Sequence, residues 1–161
     1  MRHIIAILLQ NEAGALTRVT GLISARGYNI ESLSVAPTND PTVSRVTLVT
    51  IGSDSVIAQI NAQLLKLVDV VAVEDMTSGD HLARELLLMK LQLAAENIGA
   101  VEGLLRRVGG KALSSSASNY IVEVAGTEAE IGEFIAAIGV FGEILEVVRS
   151  GVLGMARSKD L

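Results

Sequence analysis

The chain has 161 residues, half of them apolar, no cysteine and a formal net charge of −5. That length suits one ordinary domain or two small ones, and the missing thiol excludes disulfides, thiolate catalysis and cysteine-held metals. The acidic balance argues against a nucleic-acid binder, which normally carries a basic face. No apolar stretch approaches the ~18–20 residues needed to cross a bilayer; the longest runs only from Ile4 to Leu9. Met1-Arg2-His3 leads directly into a strand-like segment, which leaves no room for a signal peptide, so a soluble cytoplasmic protein is expected. A mean hydropathy of +0.48 is high for a soluble monomer and points to apolar surface covered by a second copy or another protein.

Along the chain the apolar period alternates between strand and helix. His3 to Leu9 is nearly continuous, which suits a buried central strand. Gly14 to Arg26 sets Leu16, Val19, Leu22 and Ile23 on one helical face, with Gly27 as a left-handed stop. Asn29 to Ala36 alternates through Ile30, Leu33 and Val35. Pro37-Thr38-Asn39-Asp40-Pro41 then supplies turn chemistry. Val43 to Ile51 is β-branched and alternating. Ser53-Asp54 caps a helix through Val56, Ile57, Ile60 and Leu64, and Leu67 to Val73 closes a βαββαβ unit.

Thr77-Ser78-Gly79-Asp80 is short and polar, so the boundary is set there, giving domains 1–77 and 78–161. The order then repeats. Arg84 to Leu93 is a long strand, and Val101, Leu104, Leu105 and Val108 form a helical stripe ended by Gly109-Gly110. Lys111 to Ser115 and Tyr120 to Ala125 are the middle strands. Thr127-Glu128-Ala129-Glu130 reads as a capping box before Ile131, Phe134, Ile135 and Ile138, and Glu143 to Val148 is the last strand. The fold class is therefore α+β: two ferredoxin-like βαββαβ domains, each an antiparallel sheet with helices on one face. The tail from Ser150 to Arg157 is read equally as a partner contact or as a closing segment.

No grouping of residues suggests catalysis. His3 and His81 are the only histidines and lack metal-ligand spacing, so an ordinary surface role is expected of each. Glu74-Asp75 and Glu143/Glu146 read as solvated edges. Ser114, Ser115, Ser116 and Ser118 have no neighbouring histidine or nucleophile elbow. None of the 15 glycines completes a phosphate-binding motif. The aromatic residues that RNA-binding domains of this topology use for base stacking are missing from Val43 to Ile51.

The informative stretch is Gln10-Asn11-Glu12-Ala13-Gly14-Ala15-Leu16, between the first strand and the first helix. Exposed amides at a helix N-terminus favour a carboxylate, although the same residues also describe a plain helix entry in which Asn11 caps and Gly14 turns. The wording of the sequence goes further. NEAGALTRV, RGYNIESLSVAPT and LVDVVAVED resemble the acetolactate synthase small-subunit family, whose N-terminal half is an ACT domain. HLARELLLMKLQ, YIVEVAGTEAEI and EVVRSGVLGMAR extend that resemblance over essentially the whole chain.

The resemblance implies a non-catalytic regulatory subunit of the branched-chain amino acid pathway. Such a subunit activates a large catalytic subunit that carries thiamine diphosphate, Mg²⁺ and FAD, and none of these has a recognisable site in this chain. It also implies a homodimer through the ACT domains, with an effector, typically valine, at their interface and feedback inhibition as the result. Carried over by position, Asn11, Ala13, Gly14, Ala15 and Leu16 touch the effector, and Asn29, Ile30, Val35 and Ala36 complete the site from the partner chain. Charge complementarity assigns the effector carboxylate to the Gly14–Leu16 amides and its ammonium to the Asn11 or Asn29 side-chain oxygens. The alternative is a free-standing amino-acid-sensing ACT protein that regulates another partner. Neither reading calls for a nucleic acid or a membrane.

Overall fold

The computed structural model describes residues 1–116 and 118–157. Residue 117 and residues 158–161, both inside the expected second domain, lie outside the described residues. The elements are β1 (Arg2–Gln10), α1 (Ala15–Ser24), β2 (Ile30–Pro37), β3 (Val43–Ile51), α2 (Asp54–Leu64) and β4 (Val70–Asp75). There follow β5 (His81–Leu93), a short 3-10 turn (Ala95–Asn97), α3 (Ile98–Val108), β6 (Lys111–Ser116), β7 (Asn119–Gly126), α4 (Glu128–Ile138), β8 (Gly142–Arg149) and β9 (Leu153–Ala156). The strands run β2-β3-β1-β4 in one sheet and β6-β7-β5-β8 in the other, with every neighbouring pair antiparallel. This is the ferredoxin-like order, present twice.

In the first sheet, β1 lies at the centre and is apolar on both faces. Ile5 sits opposite Leu48 and Ile7 opposite Val46, on the side facing the helices. There they meet Ala15, Val19 and Ile23 of α1 and Ile57, Ile60 and Leu64 of α2, all buried. Each of the buried valine, leucine and isoleucine side chains contributes roughly 1.5–3 kcal/mol. β4 starts at Val70, later than the apolar run from Leu67 suggests. Leu67 to Asp69 form a turn instead, in which the Val70 amide donates to the Leu67 carbonyl at 3.1 Å.

The alternate residues of β1, Ile4 and Ala6, face the other way and join Val49, Met76 and Val152 in a separate buried cluster. The cover is the end of the chain. The Val152 amide donates to Ser32 Oγ at 3.0 Å, the Gly154 amide to Thr47 Oγ1 at 3.3 Å, and Arg45 Nη2 to the Gly154 carbonyl at 3.1 Å. Gly154 suits this close approach, because a Cβ there would lie 2.4 Å from Met76 Cε and 3.3 Å from Ile4 Cγ2 and would have to displace the end of the Met76 side chain. The two compact units are accordingly Met1–Ala83 with the segment from Val152, and Arg84–Gly151. Both limits differ from the expected 1–77 and 78–161 because a sheet apolar on both faces needs two covers. Residues 152–157 pack onto this face of the first sheet, while Leu153 and Met155 stay exposed.

The second unit repeats the plan around Leu87, Met89, Leu91 and Leu93 of β5. Tyr120, Val122 and Val124 of β7, Val101 and Leu105 of α3, and Ile131, Phe134 and Ile138 of α4 complete that core. α4 begins on the capping box: the Glu130 amide donates to Thr127 Oγ1, and the Thr127 amide donates to Glu130 Oε2 at 2.7 Å. Glu85 in β5 is 3% exposed and accepts from Nε and Nη2 of Arg149 in β8.

Candidate functional site

The loop between β1 and α1 is stitched down at both ends. The Gln10 amide donates to the Asp69 carbonyl at 2.8 Å, and the Asn11 amide donates to the Thr42 carbonyl at 2.7 Å. Asn11 Nδ2 donates to the Pro41 carbonyl at 3.0 Å, which fixes the side chain and leaves Oδ1 without a donor among the described residues. Gly14 then turns the chain at φ +85°, a left-handed conformation that L side chains adopt only under strain.

This geometry opens the helix start. α1 has no side-chain cap and no acidic residue in its first turn. The Arg18 amide is the first to reach back, to the Gly14 carbonyl at 3.0 Å, and the Ala15 amide bonds the Glu12 carbonyl at 3.2 Å. The amides of Gly14, Leu16 and Thr17 have no acceptor among the described residues. Uncompensated N–H groups at the positive end of a helix dipole attract an anion. The Ala15 amide between them is occupied and Ala15 is 1% exposed, so the free amides of this turn are those of Gly14, Leu16 and Thr17. Ala13 and Gly14 are exposed, while Leu16 is half-buried against the core.

The other expected residues divide along β2. Val35 and Ala36 face Val46 and Arg45, next to Pro37 opposite Ser44. Gln10 lies opposite Val43, so Val35 and Ala36 share the loop's end of the sheet. Val35 is 45% exposed. Ile30 pairs with Thr50 at the other end, where the Asn29 carbonyl accepts from Thr50 Oγ1 at 2.6 Å. One chain therefore brings together Asn11, Ala13, Gly14, Leu16, Val35 and Ala36, and leaves Asn29 and Ile30 apart. β2 is an edge strand of its sheet.

Two residues at the loop escaped the sequence reading. Arg18, one helical turn beyond Gly14, donates through Nε at 2.5 Å and Nη2 at 2.9 Å to the carboxylate of Asp69. Asp69 is 4% exposed, and the Arg18 bonds hold its carboxyl below the usual carboxylate range while its own burial works against the charge. The only sequence signal is an acid at the end of an apolar run, with its partner 51 positions away.

A group whose folded-state pKa is depressed stabilises the protein fully above its unfolded value, and that contribution fades as pH falls through the folded one. The unfolding temperature should therefore decline below about pH 4, where an unfolded aspartate begins to protonate. In Asp69→Asn that decline should be shallower and the protein less stable at neutral pH. Thermal melts across the acid range measure both, and parallel pH profiles for the two proteins would remove Asp69 from the account.

His3 departs from the surface role expected of it. It is 2% exposed, with Nδ1 3.2 Å from Asp75 Oδ2 and Nε2 3.4 Å from Asp54 Oδ1. The cause is its position on the central strand, facing Thr50 across the sheet. Among the described residues no cluster suits a metal ion, and no helix is long and apolar enough to cross a membrane.

Residues 5–72 match the family model of the AHAS small subunit-like ACT domain, and residues 84–158 match that of the small subunit of acetolactate synthase. The chain is 46% identical over 161 residues to the acetolactate synthase isozyme 3 small subunit of Escherichia coli (strain K12), covering 100% of this chain and 99% of the relative. It is 36% identical over 157 residues to the probable acetolactate synthase small subunit of Archaeoglobus fulgidus, covering 98% of each. Among solved structures, the acetolactate synthase small subunit from Thermotoga maritima superposes with a TM-score of 0.88 at 29% identity, covering 99% of both chains.

Proposed function

Because this chain belongs to the acetolactate synthase small-subunit family, we propose that it activates a separate catalytic subunit and makes that subunit answer to valine in branched-chain amino acid biosynthesis. The chain is a non-catalytic regulatory subunit. Thiamine diphosphate, Mg²⁺ and FAD belong, in this reading, to the large subunit, and the complex is cytoplasmic.

The observation that carries the effector reading is the uncapped start of α1: three amides without acceptors beside a fixed Asn11 oxygen. An amino acid supplies what each lacks, a carboxylate for the amides and an ammonium for the oxygen. Burying its isopropyl group contributes roughly 1.5–3 kcal/mol, and charge-assisted hydrogen bonds add about 1.5–3 kcal/mol each before ordering costs. Micromolar-to-millimolar binding requires only about 4–8 kcal/mol.

The open β2 edge supports the homodimer. An unpaired strand edge is a template for another strand, and antiparallel pairing of β2 with its own copy is self-complementary about a two-fold axis. Such pairing carries the partner's Asn29 and Ile30 to the end of β2 where this chain has Val35, Ala36 and the Gly14 loop. The site is then shared: Asn11 to Thr17, Val35 and Ala36 from one chain, the partner's Asn29 and Ile30 from the other. Valine would favour the dimer arrangement that supports catalysis less well, and a differential affinity of ~1–3 kcal/mol gives strong feedback.

The deciding experiment is acetolactate formation by the catalytic subunit, with and without this protein, across a valine titration. Activation by the protein and loss of that activation with valine are expected. No effect of this chain on the catalytic subunit would instead favour an amino-acid sensor with another partner.

A further inference from the structure

We infer that Arg18 is an additional effector-binding residue, a guanidinium held in place by Asp69 so that its free nitrogen faces the effector carboxylate; this rests on the effector reading above. Arg18 lies one helical turn after Gly14, and helical side chains lean toward the N-terminus, so its head rises under the loop. Nε and Nη2 are both engaged by Asp69, and Nη1 has no acceptor among the described residues. A Cβ added at Gly14 would lie 2.9 Å from Nη1. Nη1 therefore lies at the flank of Gly14, in the turn that also carries the unpartnered Leu16 and Thr17 amides.

The Asp69 pair does two things here. It sets the guanidinium plane, since a carboxylate gripping Nε and Nη2 leaves little rotational freedom. It also balances the buried acid, which confines the residual positive field to the Nη1 edge. Arg18 is 47% exposed at its side chain and Asp69 6%, so the anchor is buried while the working end is accessible. The arrangement favours an α-carboxylate: a neutral carboxamide accepts a hydrogen bond but gains no charge pairing from the extra cation.

The test compares valine with valinamide, which keeps the isopropyl group and the ammonium but lacks the charged carboxylate. Binding is measured by calorimetry on the full chain and on Arg18→Lys, which preserves the charge opposite Asp69 and loses the fork. Valine should bind the variant about tenfold more weakly, while valinamide is weakened far less. In the unsubstituted chain, the Arg18 side-chain nitrogen resonances should shift with valine and stay still with valinamide, a readout that needs no variant to fold. Unchanged valine affinity in Arg18→Lys, equal weakening for both ligands, or motionless Arg18 resonances on valine binding would each overturn the inference and leave the effector site standing. Absence of valine binding to the unsubstituted chain would remove the site itself.

Discussion

Gly14→Asp should abolish valine inhibition while leaving activation of the catalytic subunit largely intact. Three effects act together. The residue sits at φ +85°, where any L side chain is strained by about 1–2 kcal/mol. The new carboxylate would lie against Arg18 Nη1, since even a Cβ reaches 2.9 Å, and would take the cation for itself. It would also set a negative charge beside the effector carboxylate, a like-charge juxtaposition that costs several kcal/mol. A combined loss above about 3 kcal/mol raises the valine needed for half-inhibition by more than about a hundredfold. Gly14→Ala carries the strain without the charge and should shift the same curve by about tenfold. Dose–response curves with the catalytic subunit measure both, and wild-type sensitivity in Gly14→Asp would show that the effector binds elsewhere.

Arg149→Ala should destabilise the second unit by about 3 kcal/mol. Glu85 is 3% exposed and its only described partner is Arg149, so truncating the arginine strands a buried carboxylate. Losses of about 3–5 kcal/mol are typical for one partner of a buried pair. The lower end applies because the Arg149 side chain is 39% exposed and water can reach part of the vacated space. The double change Glu85→Leu with Arg149→Met should recover most of the loss, because a well-packed apolar pair avoids desolvation altogether. Urea unfolding of the three proteins measures this, and a single variant within about 0.5 kcal/mol of the parent would mean that Glu85 is solvated after all.

The doubled βαββαβ order was legible because its signals are local. Val19 and Ile23 recur at helical spacing and are buried on the α1 face as that spacing implies. The capping box at Thr127 needs only four consecutive residues. What was not legible depends on residues far apart in the chain. The approach of Val152 and Gly154 to Ser32 and Thr47 spans more than a hundred positions, and Leu153 to Ala156 is too short to show a period. One hint was present: β1 is apolar on consecutive residues, which means that both of its faces are covered. At the candidate site, Asn11 and Gly14 stood out through their motif. The burial of Ala15 and the bond of its amide to Glu12 could not be read from the motif. The Arg18–Asp69 pair gave no pattern, because an arginine on an amphipathic helix is ordinary until its partner is known.

The return of the chain end to the first sheet matters to anyone who cuts this protein. A fragment stopped at the polar linker near Ser78 would keep every strand of the first sheet yet bare Ile4, Ala6 and Val49 to water. Such a truncation would be prone to self-association for reasons unrelated to effector binding. Fusing residues 151–157 behind residue 83 through a short flexible bridge should restore a well-behaved piece, and is the sounder basis for studying the ACT half in isolation.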